Sequence, residues 1–238
     1  MEVSFLPQSR DIDYIKQWLL QEDKKTGEGF YCNWNLILSS YRKGNLATIS
    51  INEKPIGFVT WLEYEKTATI NIIEISPKFR TRGLGRNLID TLSDRLKENS
   101  ICVIDLQCAP ASSELVWKKM NYCEFPYGLI KNPERYKRLY RILVPPLKRT
   151  YQNSGEIIEL WNNEPHLTTN IDSSWKWKVR LKSGTSELVN PIIHPAHSDW
   201  RIRWKSRSKV YKDTKVKYFC KEKIYFNKFI ILNKLPEK

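Results

Sequence analysis

Residues 73–89 constrain this chain more than any other stretch. Ile73-Glu74-Ile75-Ser76 has the texture of a strand, and Pro77 ends it because proline cannot donate to a ladder. Arg80-Thr81-Arg82-Gly83-Leu84-Gly85-Arg86 follows, and Leu84, Leu88, Leu92 and Leu96 then recur along one stripe of a helix. A strand, a glycine loop and a helix in that order commit this part of the chain to an α/β architecture. They also prepare a ligand site. Gly83 and Gly85 allow a tight turn and a close approach with no Cβ in the way. The first N–H groups of the helix lack intrahelical acceptors and point into the loop. With the helix dipole they favour an anion, and Arg80, Arg82 and Arg86 add positive charge at the same place. The pattern is that of a pyrophosphate cradle. An ordinary basic turn with two glycines is the plainer alternative.

The neighbouring segments alternate in type. Val3 to Leu6 reads as a short strand. Ile12, Ile15, Trp18 and Leu19 make Asp11 to Gln21 an amphipathic helix, and Trp34 to Tyr41 reads as a second, shorter one. Ala47 to Ile51 and Pro55 to Tyr64 read as a hairpin around Asn52-Glu53-Lys54. Thr69 to Ile75 and Ile101 to Gln107 are strands on either side of the helix Leu84 to Leu96. Ser112 to Met120 reads as a helix capped by Ser112 or Ser113, and Tyr122 to Phe125 and Arg138 to Val144 as closing strands.

Three features now combine: the strand ending Ile73-Glu74-Ile75-Ser76-Pro77, the fixed positions Arg80, Gly83 and Gly85, and the run Val116-Trp117-Lys118-Lys119-Met120-Asn121-Tyr122. In motif and element order, residues 1–147 resemble the GNAT N-acetyltransferase superfamily. The family's motif is Arg/Gln-x-x-Gly-x-Gly/Ala between a strand and a helix, and its second signature is usually Leu-Tyr-x-Lys-x-Gly-Phe. The resemblance implies a GNAT-like mixed sheet flanked by helices, with acetyl-CoA as acyl-donor substrate. It implies that the backbone of Ile73 to Ile75 pairs with the pantetheine arm. The loop of Arg80, Thr81, Arg82, Gly83, Leu84, Gly85 and Arg86 would hold the pyrophosphate, and Trp117 would pack on the cofactor. A strand N–H near Ile75 would polarise the thioester carbonyl. The implied activity is that of an acetyl-CoA-dependent N-acyltransferase, in which an amine attacks directly within a ternary complex.

The base is a carboxylate near the thioester. Glu74 is the nearest, with Glu63 and Glu65 in reserve; an ion pair with an arginine is the other reading of Glu74. Trp117 stands where the family often has a tyrosine acid, and Pro110 where it often has an asparagine. An indole N–H is a poor proton donor, so water is expected to reprotonate the thiolate. Phe30, Tyr31 and Trp34 read either as lining of the acceptor pocket or as core. A second reading of the whole is a nucleic-acid- or protein-binding regulator whose GNAT-like domain holds acyl-CoA without turnover.

Beyond Pro145-Pro146 and Lys148-Arg149 the texture changes, which divides the chain into a domain of residues 1–147 and an extension of residues 148–238. The net charge of the 238 residues is +14, and residues 148–238 hold 19 Lys/Arg against 9 Asp/Glu, a net of +10. Trp175, Trp177, Val179 and Leu181 alternate with Lys176, Lys178, Arg180 and Lys182. Trp200, Ile202 and Trp204 alternate with Arg201, Arg203 and Lys205, and Val216, Tyr218 and Cys220 with Lys215, Lys217 and Lys221. Period two predicts a small, mostly antiparallel, basic β-rich module with an apolar core face and a cationic face free for phosphates. Nucleic acid (a transfer RNA included), protein contact and plain solvation all stand as roles for that face. Oligomeric state stays open.

A hydrophobic share of 41%, with 9 Trp, 12 Tyr and 8 Phe, is enough to bury a core and argues against global disorder. No run approaches the roughly 18 uncharged apolar residues of a membrane helix. The N-terminus lacks an apolar signal core, so the expected location is cytoplasmic. The cysteines are scattered with no CxxC pair and read as reduced thiols; Cys108 has no histidine within residues 1–147 to activate it. His194 and His197 have no neighbouring cysteine to complete a set, so no metal is expected.

Overall fold

The computed structural model describes residues 2–27, 29–135, 137–152 and 154–237. The chain divides into two compact units, Met1–Cys123 with Leu139–Leu143, and Glu124–Arg138 with Val144–Lys238. The chain leaves the first unit for the last time after Leu143, four residues before the expected boundary. Residues 124–138, expected with the first domain, belong to the second unit.

The first unit runs β1 (Glu2–Ser4), α1 (Ser9–Thr26), α2 (Trp34–Arg42), β2 (Leu46–Ile51), β3 (Lys54–Tyr64), β4 (Thr67–Ile75), α3 (Leu84–Glu98), β5 (Val103–Gln107), α4 (Glu114–Lys118), β6 (Cys123–Glu124) and β7 (Arg138–Ile142). The sheet order is β1-β2-β3-β4-β5-β7-β6. Pairing is antiparallel from β1 to β4 and parallel between β4 and β5, so the sheet is mixed. Helices flank it on both faces. Leu84, Leu88, Ile89, Leu92 and Leu96 of α3 pack with Ile49, Val59, Ile75 and Ile104 in one core. Ile12, Ile15 and Leu19 of α1 and Ile37 of α2 pack with Leu46, Phe58 and Ile72 in another. Phe58 and Val59 adjoin in β3 yet enter different cores, as the period of two requires.

Local chemistry sets the ends of these elements. At the start of α1 the Gln8 N–H donates to the Asp11 carboxylate at 2.8 Å. Gly27, at φ 66°, closes the helix in the left-handed region. Asn52 and Glu53 take φ 48° and 61° in the β2–β3 turn, which matches the twist of the flanking strands. The predicted helix over Ser112 to Met120 is shorter. A 3₁₀ turn occupies Ala111–Ser113, α4 covers Glu114–Lys118, and neither serine caps it with a side chain. Asn121, at φ 64°, turns the chain out of the helix.

The second unit adds β8 (Glu156–Leu160), β9 (Trp175–Lys178), β10 (Glu187–Pro195), β11 (Arg201–Ser206), β12 (Lys209–Lys215), β13 (Tyr225–Phe226) and β14 (Phe229–Lys234). They form a sheet in the order β12-β11-β8-β9 and another in the order β10-β14-β13, and every pairing within both is antiparallel. Trp177, Trp200, Ile202 and Trp204 lie in its core, and Trp175 packs against it.

Two expectations for this unit fail. Val216, Tyr218 and Cys220 do not share a strand face: Val216–Tyr218 is a 3₁₀ turn, with Val216 buried and Tyr218 exposed. Phe219 is buried completely, and burying it requires the turn that breaks the alternation. The cationic face is also not free for phosphates. Glu159, itself buried, lies 2.7 Å from Arg203, 3.0 Å from Lys205 and 3.9 Å from Lys176. Asp213 pairs with Arg201. The guanidiniums of Arg201 and Arg203 lie 4.6 and 4.8 Å from the ring centre of Trp161. This face carries its own counterions. Among the described residues no helix is long and apolar enough to cross a membrane.

Candidate functional site

Strand β4 loses its neighbour partway along. Pairing with β5 runs from Thr67 opposite Val103 to Ile70 opposite Leu106 and ends there, although β4 continues to Ile75. Opposite this point, the register with β3 shifts between Thr60 and Trp61, which makes Asn71 an extra residue in β4. Beyond the bulge, the Ser76 N–H donates to the Ile56 carbonyl at 2.8 Å, on the β3 side. Alternation then turns the peptide groups of Ile75 and Ile73 toward the open edge.

That edge is covered by side chains. The Ile75 N–H donates to Glu74 Oε1 at 3.0 Å, and the Ile75 carbonyl accepts from Arg80 Nε at 2.9 Å. The same guanidinium donates through Nη2 to Glu74 Oε1 at 3.0 Å and to Glu22 Oε1. Glu74 therefore has an arginine partner, as its alternative reading expected. Burial nevertheless pushes its carboxyl above the usual range; Arg80 opposes the rise and Glu22 adds to it. A carboxylate with a raised pKa beside an open strand edge is chemically suited to accept a proton.

Next to this edge the loop rises into α3. Thr81, at φ 65°, and Gly83, at φ 76°, both take the left-handed conformation. A Cβ at Gly83 would meet nothing within 4 Å, so the backbone angle is what asks for glycine there. A Cβ at Gly85 would stand 3.8 Å from Ile75 and 3.9 Å from Ile73, an ordinary contact that the fold would tolerate. The first intrahelical bond of α3 runs from the Asn87 N–H to the Gly83 carbonyl at 3.1 Å. The N–H groups of Leu84, Gly85 and Arg86 thus have no partner within the helix. Leu84 is buried in the core and fixes the helix start. Arg82 lies 5.5 Å from the Phe79 ring centre, and Arg86 donates to the Lys119 carbonyl at 3.1 Å.

The other candidates lie elsewhere. Trp117 is 7% exposed and packs edge-on against Tyr122 at 5.0 Å, inside the core. Burial pushes the Tyr122 hydroxyl pKa up, against the pull of Arg141. Glu63 accepts from the Trp61 indole at 2.9 Å and pairs with Ala68, at the opposite end of β4 from Glu74. At a strand rise of about 3.3 Å per residue this is roughly 20 Å away, which removes Glu63 from the open edge. Glu65 follows it in the turn. Phe30, Tyr31 and Trp34 are partly buried against the α1–α2 core, and Cys108 is buried among apolar groups.

Sequence reasoning missed Glu22. The predicted helix stopped one residue short of it. The available signal was its place on the buried stripe Ile12, Ile15, Leu19, Glu22 of α1, where a charged residue calls for an explanation.

Residues 9–118 match the model of the acetyltransferase (GNAT) family, which supports acyl transfer as the general class of activity. Among solved structures, Ard1 from Thermoplasma volcanium is similar at 18% identity and a TM-score of 0.48, over 60% of this chain and 98% of that one. PaiA N-acetyltransferase from Thermoplasma acidophilum, in complex with coenzyme A, is similar at 11% identity and a TM-score of 0.47, over 59% and 98%. N-acetylglutamate synthase from Neisseria gonorrhoeae, complexed with coenzyme A and N-acetyl-glutamate, is similar at 10% identity and a TM-score of 0.47. The match takes in 60% of this chain but spans only 35% of that synthase. No curated protein sequence matches the chain.

Proposed function

Because residues 9–118 are a domain of the acetyltransferase (GNAT) family, we propose that the chain moves an acetyl group from acetyl-CoA to an amine by direct attack in a ternary complex. One observation carries this reading: the unpaired edge of β4 beyond Ile70 lies beside the free N-terminus of α3, with Gly85 over Ile73 and Ile75. The pantetheine amides pair with the Ile73–Ile75 edge. The pyrophosphate takes the N–H groups of the Arg80–Arg86 loop, with Arg82 and Arg86 adding charge. Trp117 contributes packing only.

The chemistry follows from the cluster at Ile75. Glu74 releases the Ile75 N–H to the thioester oxygen and accepts a proton from the incoming ammonium. The amine nitrogen forms a bond to the carbonyl carbon, and charge builds on the oxygen held by Ile75. Collapse breaks the carbon–sulfur bond, and water protonates the departing thiolate.

Thiol release from acetyl-CoA over a panel of amines tests the reading, alongside acetyl-CoA affinity by calorimetry. Gly85→Glu is expected to raise Kd for acetyl-CoA by about 100-fold, roughly 2.7 kcal/mol. A carboxylate there opposes the pyrophosphate. The melting temperature should hold or rise, since an acidic residue suits the first turn of a helix. An unchanged Kd would sink the cradle. Tight acetyl-CoA binding with no thiol release on any amine would favour the regulator reading, which the mutual satisfaction of Glu74 and the Ile75 N–H keeps open. The counterions of the second unit weaken the case for a phosphate-tracking face. Salt-sensitive retention on nucleic acid would restore it.

A further inference from the structure

Glu22 is the buried group whose state the fold leaves incomplete. Its side chain is 7% exposed. One oxygen, Oε1, accepts from Arg80. The other, Oε2, is buried and has no hydrogen-bond partner among the described residues. Leaving a buried acceptor unmet costs about 1–3 kcal/mol, and more when it is charged. The same Arg80 guanidinium also carries Glu74, so two carboxylates share one positive charge and the cluster is one cation short. Space beside the free oxygen is open as well. A Cβ at Gly29 would stand 3.6 Å from Oε2, and the missing side chain leaves that flank uncovered. Trp18, one helical turn earlier, packs on Phe58, and its buried indole N–H also lacks a partner among the described residues.

We propose that Glu22 Oε2 receives the ammonium group of the acceptor, so that the acceptor is a primary amine that arrives as a cation and is anchored on Glu22 beside Glu74. The inference rests on the acyl-transfer reading and names the residue that selects its second substrate. An ammonium supplies both the missing donor and the missing charge. A neutral hydroxyl of the same shape supplies a donor alone. Arg80 holds Glu22 and Glu74 on one guanidinium, so an amine bound at the first carboxylate is within reach of the second.

The test uses the full chain with n-butylammonium and its uncharged isostere n-butanol. Saturation transfer from protein to ligand is read by NMR for the wild type, Glu22→Gln and Glu22→Asp, each checked for folding by circular dichroism. The wild type should saturate n-butylammonium and barely touch n-butanol. Glu22→Gln should reduce the n-butylammonium effect about tenfold, and Glu22→Asp should fall between. Where n-butylamine is acetylated, Glu22→Gln should raise its KM about tenfold and leave the KM for acetyl-CoA within twofold. No transfer to n-butylammonium in the wild type, equal transfer to both ligands, or an effect that survives Glu22→Gln overturns the proposal. Saturation transfer needs no turnover. A chain that binds the amine at Glu22 and releases no thiol overturns the acyl-transfer reading and leaves this site standing. Thiol release with an unchanged amine KM in the variant does the reverse.

Discussion

Glu74→Gln is expected to slow thiol release from acetyl-CoA by about 10²- to 10⁴-fold, the usual worth of a positioned base, and to raise the melting temperature of the first unit at pH 7.5. The two effects share a cause. Burial holds the folded-state pKa of Glu74 above its ordinary value of 4.5, despite the pull of Arg80. A carboxyl with a raised pKa binds its proton more tightly in the folded state. Its stabilising contribution is full below pH 4.5 and is lost as pH rises through the folded value. At pH 7.5 the ionised group is therefore a net cost, which glutamine avoids. Glutamine can still accept from the Ile75 N–H and from Arg80. The stability gain should shrink as pH falls and vanish below about 4.5. Melting curves at both ends of that range, with steady-state thiol release, check the prediction. A variant that melts lower at pH 7.5 would mean that the Arg80 pair outweighs burial. A variant with full activity would remove Glu74 from the chemistry.

The second unit should lose stability in acid well before its carboxylates titrate, and His194 is the reason. It lies in β10, 2% exposed, with Trp175 and Trp177 ring centres 4.4 and 5.5 Å away. Arg149 Nη2 lies 3.2 Å from Nδ1. A guanidinium can only donate, so Nδ1 accepts and the ring is neutral with its proton on Nε2. Burial, with Arg149 adding to it, holds the pKa down at about 3 against an ordinary 6.5. A depressed pKa gives stability that is present above 6.5 and lost as pH falls toward 3, because the unfolded chain takes up the proton first. At about 1.36 kcal/mol per unit, roughly 3 kcal/mol should go between pH 6.5 and 4.5. Glu164 and Glu187 have ordinary values near 4.5 that the fold lowers further, so they act below this window. Denaturant titrations followed by tryptophan fluorescence measure the slope. His194→Gln, which can still accept from Arg149, should flatten it. A slope that persists unchanged would assign the acid sensitivity to other groups.

What was legible in the sequence was what repeats or what a single residue demands of its own backbone. The stripe Leu84, Leu88, Leu92, Leu96 predicts α3, and all four are buried. The alternation of Trp200, Ile202 and Trp204 with Arg201, Arg203 and Lys205 predicts β11 and its two faces. Gly83 announces a left-handed residue before a helix, and it has one. These features are local, so a short window of sequence contains their cause.

The charges behave differently. Glu22 and Arg80 are 58 residues apart in the chain and meet only because α1 lies against the sheet end where β4 stops. Glu159 holds Arg203 across 44 residues, and that register turned an apparently free cationic face into a paired one. The sequence by itself determined the α/β order, the glycine loop at the head of α3 and the β texture of the second unit. Tertiary structure alone decided which charges are buried together, that Glu74 covers the Ile75 N–H, and that Glu22 keeps one oxygen unmet. Periodicity and backbone angles are set within a few residues. Desolvation and ion pairing act through space, between groups that the chain brings together only once it has folded.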